Sequence, residues 1–166
     1  ITVNGPISPE KLGETLMHEH LFIDYRHDKP SDKKALDGWN TPFTTHNRSH
    51  FYTNGLVGGH EALYSDSIDD AVAEVLLYKA LGGRSIVDVT SINLGRRPQK
   101  LQQVARETGI HIIMGTGFYY GAFLPDNMDQ LSVSDLTSTL VREISIGING
   151  TDVKAGIIGE VAVHDF

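Results

Sequence analysis

Strand-like and helix-like segments alternate along this chain, and this order leaves few folds open. The pattern predicts strands and helices over the ranges 15–23 (strand), 67–81 (helix), 85–90 (strand), 97–108 (helix), 110–116 (strand), 132–146 (helix) and 154–163 (strand). Strands that alternate with helices pair in parallel through right-handed crossovers. The predicted fold class is therefore α/β, either an open doubly wound sheet or part of a (β/α)8 TIM barrel.

The chain length limits how much of a barrel these residues can form. A complete TIM barrel takes about 250 residues, whereas this chain has 166 residues. If the barrel interpretation is right, we expect residues 1–166 to form the N-terminal half of one barrel domain, with a hairpin over 1–14 and about the first four strands. Residues 24–64 have no clear period and predict a long loop after the first strand, a length usually reserved for functional loops.

Charge and composition exclude several classes of function and of site. The formal net charge is −7 and cysteine is absent, so nucleic acid is not an expected partner and a thiolate metal site is excluded. A metal would have to be bound by His, Asp, Glu or a modified Lys. The apolar runs are far shorter than the roughly 20 residues of a membrane span, so a membrane is not an expected partner either.

The strongest local signal is the pair His18 and His20 near the end of the first predicted strand. Strict alternation puts them on one face of the strand together with Leu16 and Phe22, and leaves Met17 on the other face. Two imidazoles at this spacing can converge on one cation. The alternative is a pair of hydrogen-bonded strand histidines, and two histidines alone are too few ligands for a metal.

Glu160 is the second signal, because it follows an apolar strand near that strand's carboxyl end. Such a carboxylate is costly to bury unless it is paired or bound to a metal, and a structural salt bridge is the alternative. In parallel α/β folds the carboxyl ends of the strands form the active face. We therefore expect His18, His20 and Glu160 to share one site.

The loops after the middle strands supply candidate substrate-binding residues. Tyr119 and Tyr120 could contact a substrate or pack within their loop, and Arg96 could bind an anion or form a salt bridge at a helix start. Asp88 is interpreted as structural. The glycines from 115 to 121 do not have the spacing of a dinucleotide-binding loop, which argues against a doubly wound phosphate-binding domain.

The remaining histidines are interpreted from their positions alone. Those in the predicted long loop are expected to be solvated, His111 begins a strand at the end away from the site, and His164 lies at the correct end. The loop histidines are His27, His46, His50 and His60.

Several motifs together resemble the phosphotriesterase family of the amidohydrolase superfamily. They cover nearly the whole chain outside the long loop. The motifs are NGPISP at 4–9, LGETLMHEHL at 12–21, GRSIVDVT at 83–90, LGR at 94–96, ETGI at 107–110, GTGFYY at 115–120 and KAGIIGE at 154–160. Many members have a carbamylated lysine at the end of the fourth strand. Here Gly159 stands at that place and Glu160 follows it, as in the branch that resembles the phosphotriesterase homology proteins.

The resemblance implies a (β/α)8 barrel with two divalent metals, usually zinc, bridged by a hydroxide. It assigns His18 and His20 to the more buried metal and Glu160 to the bridge. Because a shift of one residue turns a side chain to the other face, the register near Glu160 must differ from that of the lysine branch. The other ligands, two histidines and an aspartate that accepts the proton, belong to later strands.

The expected function is therefore a binuclear metal-dependent hydrolase acting on a lactone, a carboxylic ester or a phosphotriester. The expected partners are this small-molecule substrate, the C-terminal half of the barrel and, as a homodimer, a second copy of the chain; a cytoplasmic location is expected. Tyr119, Tyr120 and Arg96 are the expected substrate-binding residues. The alternative is a non-catalytic half-barrel that serves as a binding or assembly module.

Overall fold

A parallel four-stranded sheet with helices packed against it forms the body of the molecule. The structure is a computed structural model that describes residues 1–27, 41–42, 44–49 and 63–162. The strands lie in the order β1 (Thr15–Glu19), β4 (Ser85–Asp88), β5 (His111–Thr116) and β6 (Ile157–Ile158). Sequential parallel strands linked by helices form half of an α/β barrel, which confirms the predicted fold class.

Three helices connect these strands. The helices are α1 (Ile68–Ala80), α2 (Pro98–Thr108) and α3 (Val133–Ser145). The Ser67 side chain caps α1, Gly109 ends α2 with a left-handed φ of 71°, and a capping box begins α3. These local signals also appear in the sequence, and each predicted helix is confirmed to within one residue at either end.

Apolar side chains fill the space between the sheet and the helices. Ile86, Ile112 and Met114 of the sheet are buried in one cluster with Val75 of α1 and Leu101 of α2. On the other side of the sheet a cavity of about 320 Å³ is lined in part by Met17, Val87, Ile113 and Ile157. The sheet therefore has one face packed against helices and one face that lines an open concave cavity.

The N-terminal residues pack against the end of the sheet where its strands begin. Within residues 1–14, Thr2 and Gly5 form one antiparallel bridge, and Pro9–Lys11 form a single 3-10 turn. The Val3 amide donates to the Ile112 carbonyl oxygen at 2.8 Å. This segment therefore anchors the chain at the end opposite to the candidate site.

Two short strands bring together the ends of the predicted long loop. The strands β2 (Ile23–Asp24) and β3 (Tyr64–Ser65) pair in antiparallel fashion. Most of the residues between them lie outside the described part of the chain. Because α1 begins three residues after β3, this ladder sets where the first crossover helix starts.

The first and last strands are shorter than predicted. The predicted strand over 15–23 divides into β1 and β2, and the one over 154–163 is reduced to Ile157–Ile158. Before β6, the Ala155 amide bonds to the Glu143 carbonyl oxygen of α3 instead of to a strand. After β6, Gly159 has a φ of 148°, which ends regular extended pairing.

Among the helices in the described part of the chain, none has the length and apolar character needed to cross a membrane.

Candidate metal centre

His18, His20 and Glu160 converge at the carboxyl end of the parallel sheet. His18 Nε2 lies 3.0 Å from Glu160 Oε2, and His20 Nε2 lies 3.4 Å from Glu160 Oε1. One ligand atom from each of the three residues lies within 4.8 Å of the other two. The geometry thus joins Glu160 to two histidines that precede it by 142 and 140 positions in the sequence.

The backbone pairing explains how Glu160 reaches the histidines. The Val89 amide donates to the Glu19 carbonyl oxygen at 3.0 Å, and the Glu160 amide donates to the Val89 carbonyl oxygen at 2.8 Å. The Gly159 amide still bonds to the Thr116 carbonyl oxygen of β5. The chain therefore passes over the end of β5 between Gly159 and Glu160, and the glutamate reaches β4 and β1.

A bulge in β1 corrects the face assignment made from strict alternation. Leu16 pairs with Ile86 but Glu19 pairs with Asp88, so three steps along β1 are opposite two along β4. An extra residue breaks the two-residue alternation of side chains. In addition, β1 ends at Glu19, so Phe22 lies beyond the strand. Phe22, predicted to share a face with His18, is buried among the helices, whereas the His18 side chain is 62% exposed.

The donor set fits a divalent cation. Glu160 Oε1 is buried, and it has no hydrogen-bond partner among the residues that the structure describes. A buried carboxylate oxygen without a donor is costly unless a cation neutralises it. Two imidazole nitrogens and a carboxylate are ligands that zinc accepts. The cluster therefore fits a metal better than a pair of histidines hydrogen-bonded to each other.

Thr90 and Asp88 hold the backbone around His20. The Thr90 hydroxyl lies 3.0 Å from His20 Nδ1 and donates to the Phe22 carbonyl oxygen at 3.2 Å. The Asp88 carboxylate accepts from the Leu21 and Thr90 amides at 2.8 and 3.1 Å. Burial raises the pKa of Asp88, while these hydrogen bonds oppose the shift. These contacts agree with the structural interpretation of Asp88.

Sequence reasoning missed Thr90. The signal that could have found it is its position, because it follows β4 at the end of the sheet where Glu160 also lies.

Tyr119 and Tyr120 belong to an aromatic cluster beside the centre. Their ring centroids are 4.6 Å apart, and the Tyr119 hydroxyl lies 3.3 Å from that of Tyr25. Burial, the hydrogen bond to Tyr119 and the charge of Glu160 all raise the pKa of Tyr25, so its hydroxyl stays protonated. Sequence reasoning missed Tyr25, which follows β2 directly and has no motif to mark it.

Arg96 lies in a salt bridge instead of reaching toward the histidines. Its guanidinium donates to both carboxylate oxygens of Glu143, at 2.8 and 2.9 Å, and to the Gly115 carbonyl oxygen at 3.2 Å. Both side chains are about 95% buried. Of the two interpretations for Arg96, the contacts therefore favour the salt bridge over substrate binding. The partner, Glu143, lies on α3, so the sequence pattern around Arg96 could not identify it.

The other histidines that the structure describes are not part of this cluster. His27 is exposed with its ring 6.3 Å from that of Phe123, His46 is exposed, and His111 begins β5 at the opposite end of the strand. His50, His60 and His164 lie outside the described residues.

Comparison with known proteins agrees with this geometry. The profile of the Phosphotriesterase family matches residues 1–165. N-acetyltaurine hydrolase from Xenopus tropicalis is 37% identical over 163 residues, which are 96% of this chain and 46% of the relative. The chain therefore spans about half the length of the curated relatives that it matches.

Two solved structures have the same arrangement of elements. A resiniferatoxin-binding protein from Rhodobacter sphaeroides superposes with a TM-score of 0.88 at 38% identity, covering 98% of this chain and 46% of the other. The phosphotriesterase homology protein from Escherichia coli, with phosphate in its active site, gives a TM-score of 0.67 at 31% identity and covers 90% and 42%.

Proposed function

The chain belongs to the phosphotriesterase family, and from this premise we propose that it provides the first metal ligands of a hydrolase. The observation that carries the proposal is the convergence of two imidazoles on the Glu160 carboxylate, whose buried Oε1 has no hydrogen-bond partner in the described part of the chain. We propose that His18 and His20 hold one divalent cation and that Glu160 bridges it to a second, with zinc as the metal of both sites.

The bound metal would supply Lewis acidity and a water of lowered pKa. The protein residues would position the metal. Glu160 directs one carboxylate oxygen toward each histidine, which supports its place at the cation that these histidines would hold. Its bridging role is proposed from the family resemblance. Because a glutamate is anionic without modification, the site needs no carbamylated lysine.

We propose that Tyr119 and Tyr120 contact the substrate, with Tyr25 supporting Tyr119. Supporting this, Tyr119 and Tyr120 line an apolar cavity of about 370 Å³ together with Val161, the residue after Glu160. A hydroxyl held protonated, such as that of Tyr25, can donate a hydrogen bond to Tyr119 and fix the direction of the Tyr119 hydroxyl. Because Arg96 forms a buried salt bridge with Glu143, it is not part of this proposal.

The substrate class proposed is a compound with a carbonyl or phosphoryl centre that water can attack. Water adds to that centre, the bond to the leaving oxygen or nitrogen breaks, and the leaving group takes up a proton. Lactones, carboxylic esters and phosphotriesters follow from the family resemblance. The relative named N-acetyltaurine hydrolase extends the set to an amide.

A second stretch of polypeptide has to complete this site. Three ligands do not fill the coordination of two cations, and the chain covers 46% of the relative's length. We propose that the C-terminal half of the barrel provides the remaining ligands and the residue that accepts the proton.

The test is to measure metal content and hydrolysis in the full-length protein. We expect about two equivalents of zinc per chain, lost in His18→Ala and in Glu160→Gln and retained in His111→Ala, which changes a histidine at the opposite end of β5. Hydrolysis of at least one of N-acetyltaurine, a lactone, an aryl ester or a phosphotriester should follow zinc content and need no added bicarbonate.

A folded protein that hydrolyses a panel substrate equally well without metal would contradict the proposal. Zinc binding without hydrolysis of any of these substrates would favour the alternative of a non-catalytic binding module.

A further inference from the structure

The Thr90 hydroxyl has a geometry that determines which nitrogen of His20 carries the proton. It lies 3.0 Å from His20 Nδ1 and 3.2 Å from the Phe22 carbonyl oxygen. A hydroxyl has a single proton to donate, and a carbonyl oxygen can only accept. If the Thr90 proton bonds to Phe22, the contact with His20 requires Nδ1 to be the donor.

This assignment gives the Thr90 hydroxyl, the Phe22 carbonyl oxygen and His20 Nδ1 a hydrogen bond each. Thr90 is fully buried, so water cannot replace a missing partner. The opposite assignment, with the hydroxyl donating to Nδ1, would leave the Phe22 carbonyl oxygen without that hydrogen bond, which is unfavourable for a polar group away from water. A neutral imidazole with its proton on Nδ1 has a free lone pair on Nε2, the nitrogen that faces Glu160.

Asp88 makes this geometry rigid. One of its carboxylate oxygens accepts from the amide of Leu21, next to His20, and the other accepts from the amide of Thr90. A single buried side chain therefore fixes the backbone on both sides of the contact between the hydroxyl and the imidazole. Asp88 thus positions Thr90 beside His20 through hydrogen bonds within the protein, without a bound metal.

We propose that Thr90 is a positioning residue that holds His20 in the Nδ1–H tautomer, so that Nε2 is ready to bind a cation before the cation arrives. The proposal rests on the metal site proposed above. Residues that orient a ligating histidine in this way typically change metal affinity about 10- to 100-fold when they are replaced.

The test compares three variants of the full-length protein. Thr90→Val removes the hydroxyl at nearly constant shape, and Thr90→Ser restores it. Thr108→Val is the matched control, because Thr108 is also a buried threonine whose hydroxyl donates to a backbone carbonyl oxygen, that of Val104. We expect the zinc dissociation constant to rise about 10- to 100-fold in Thr90→Val and to be unchanged in Thr90→Ser and Thr108→Val.

Nitrogen-15 NMR of the metal-free wild-type protein tests the tautomer directly. We expect the His20 proton on Nδ1. A proton on Nε2 would overturn the proposal even if Thr90→Val fails to fold, and so would equal zinc affinities for Thr90→Val and wild type. If the wild-type protein binds no zinc, the proposed function fails. The NMR measurement still tests whether the contact with Thr90 holds His20 in the Nδ1–H tautomer.

Discussion

At the scale of single residues, Glu160 links the two histidines. Each of its carboxylate oxygens faces a different imidazole nitrogen, although Glu160 is not hydrogen-bonded to β1 through its backbone. Its amide bonds instead to Val89, whose own amide bonds to Glu19. The side chain therefore reaches β1 because its backbone is tied to the strand between them.

The buried pair of Arg96 and Glu143 leads to a prediction about stability. Both charges are removed from water, and the Thr116 hydroxyl donates a further hydrogen bond to Glu143. Glu143→Ala leaves the Arg96 charge buried without its partner, so we expect the free energy of unfolding to fall by about 3–5 kcal/mol. Urea denaturation of the full-length protein measures this loss.

Glu107→Ala is the control for that measurement. Glu107 is an exposed residue that accepts a hydrogen bond from Gln103, and its loss should change the free energy of unfolding by no more than about 0.5 kcal/mol. Equal small effects for both variants would mean that the buried pair does not hold α3 to the sheet.

The sequence indicates some of these residues and cannot indicate others. His18, His20 and Glu160 could be found because their positions at strand ends carry information about the parallel fold. Thr90 and Tyr25 could not, because their roles depend on partners that are distant in the sequence. Arg96 was ambiguous for the same reason, since its partner Glu143 lies 47 positions away.

At the scale of elements, helices and strands differ in how well the sequence predicts them. The ends of α1, α2 and α3 depend on caps within a few residues, such as Ser132 with Asp135, so each helix was predicted closely. The strand β1 depends on pairing with β4, and the bulge between them has no local signal. The short β6 is likewise determined by its neighbours.

Gly115 on β5 gives a prediction about how elements hold the site. A Cβ at this position would collide with the Gly159 carbonyl oxygen and would lie 3.2 Å from Val89 Cα. Gly115→Ala should therefore push the segment that ends in Glu160 away from β5 and from the histidines. We expect zinc affinity of the full-length protein to fall at least about tenfold, as measured by competition with a chelator.

Gly150→Ala is the matched control for this substitution. Gly150 has a positive φ of 79° and no atom within 4 Å of a Cβ built on it, so alanine strains its turn by about 1–2 kcal/mol without reaching the site. We expect the zinc affinity of Gly150→Ala to equal that of the wild-type protein. Wild-type zinc affinity in Gly115→Ala would show that the close approach of β5 to Gly159 does not position Glu160.

At the scale of the whole molecule, the sheet is half of a barrel with its ligands at one end. Within the described residues each of β1 and β6 has one neighbour in the sheet, and the concave face between them holds the cavity beside Met17. The alternation of strands and helices predicted a parallel α/β sheet, and the family resemblance predicted that this sheet is part of a barrel. The candidate ligands therefore lie at the carboxyl end of the sheet, which would be one end of a completed barrel.

The central claim is that His18, His20 and Glu160 bind the same metal centre. Crystals of the full-length protein grown with zinc, with data collected at the zinc absorption edge, test it most directly. We predict an anomalous peak about 2.0–2.2 Å from an imidazole nitrogen of each histidine and from a Glu160 carboxylate oxygen. A map without a peak there, in which the His18 ring still bonds directly to Glu160, would contradict the account.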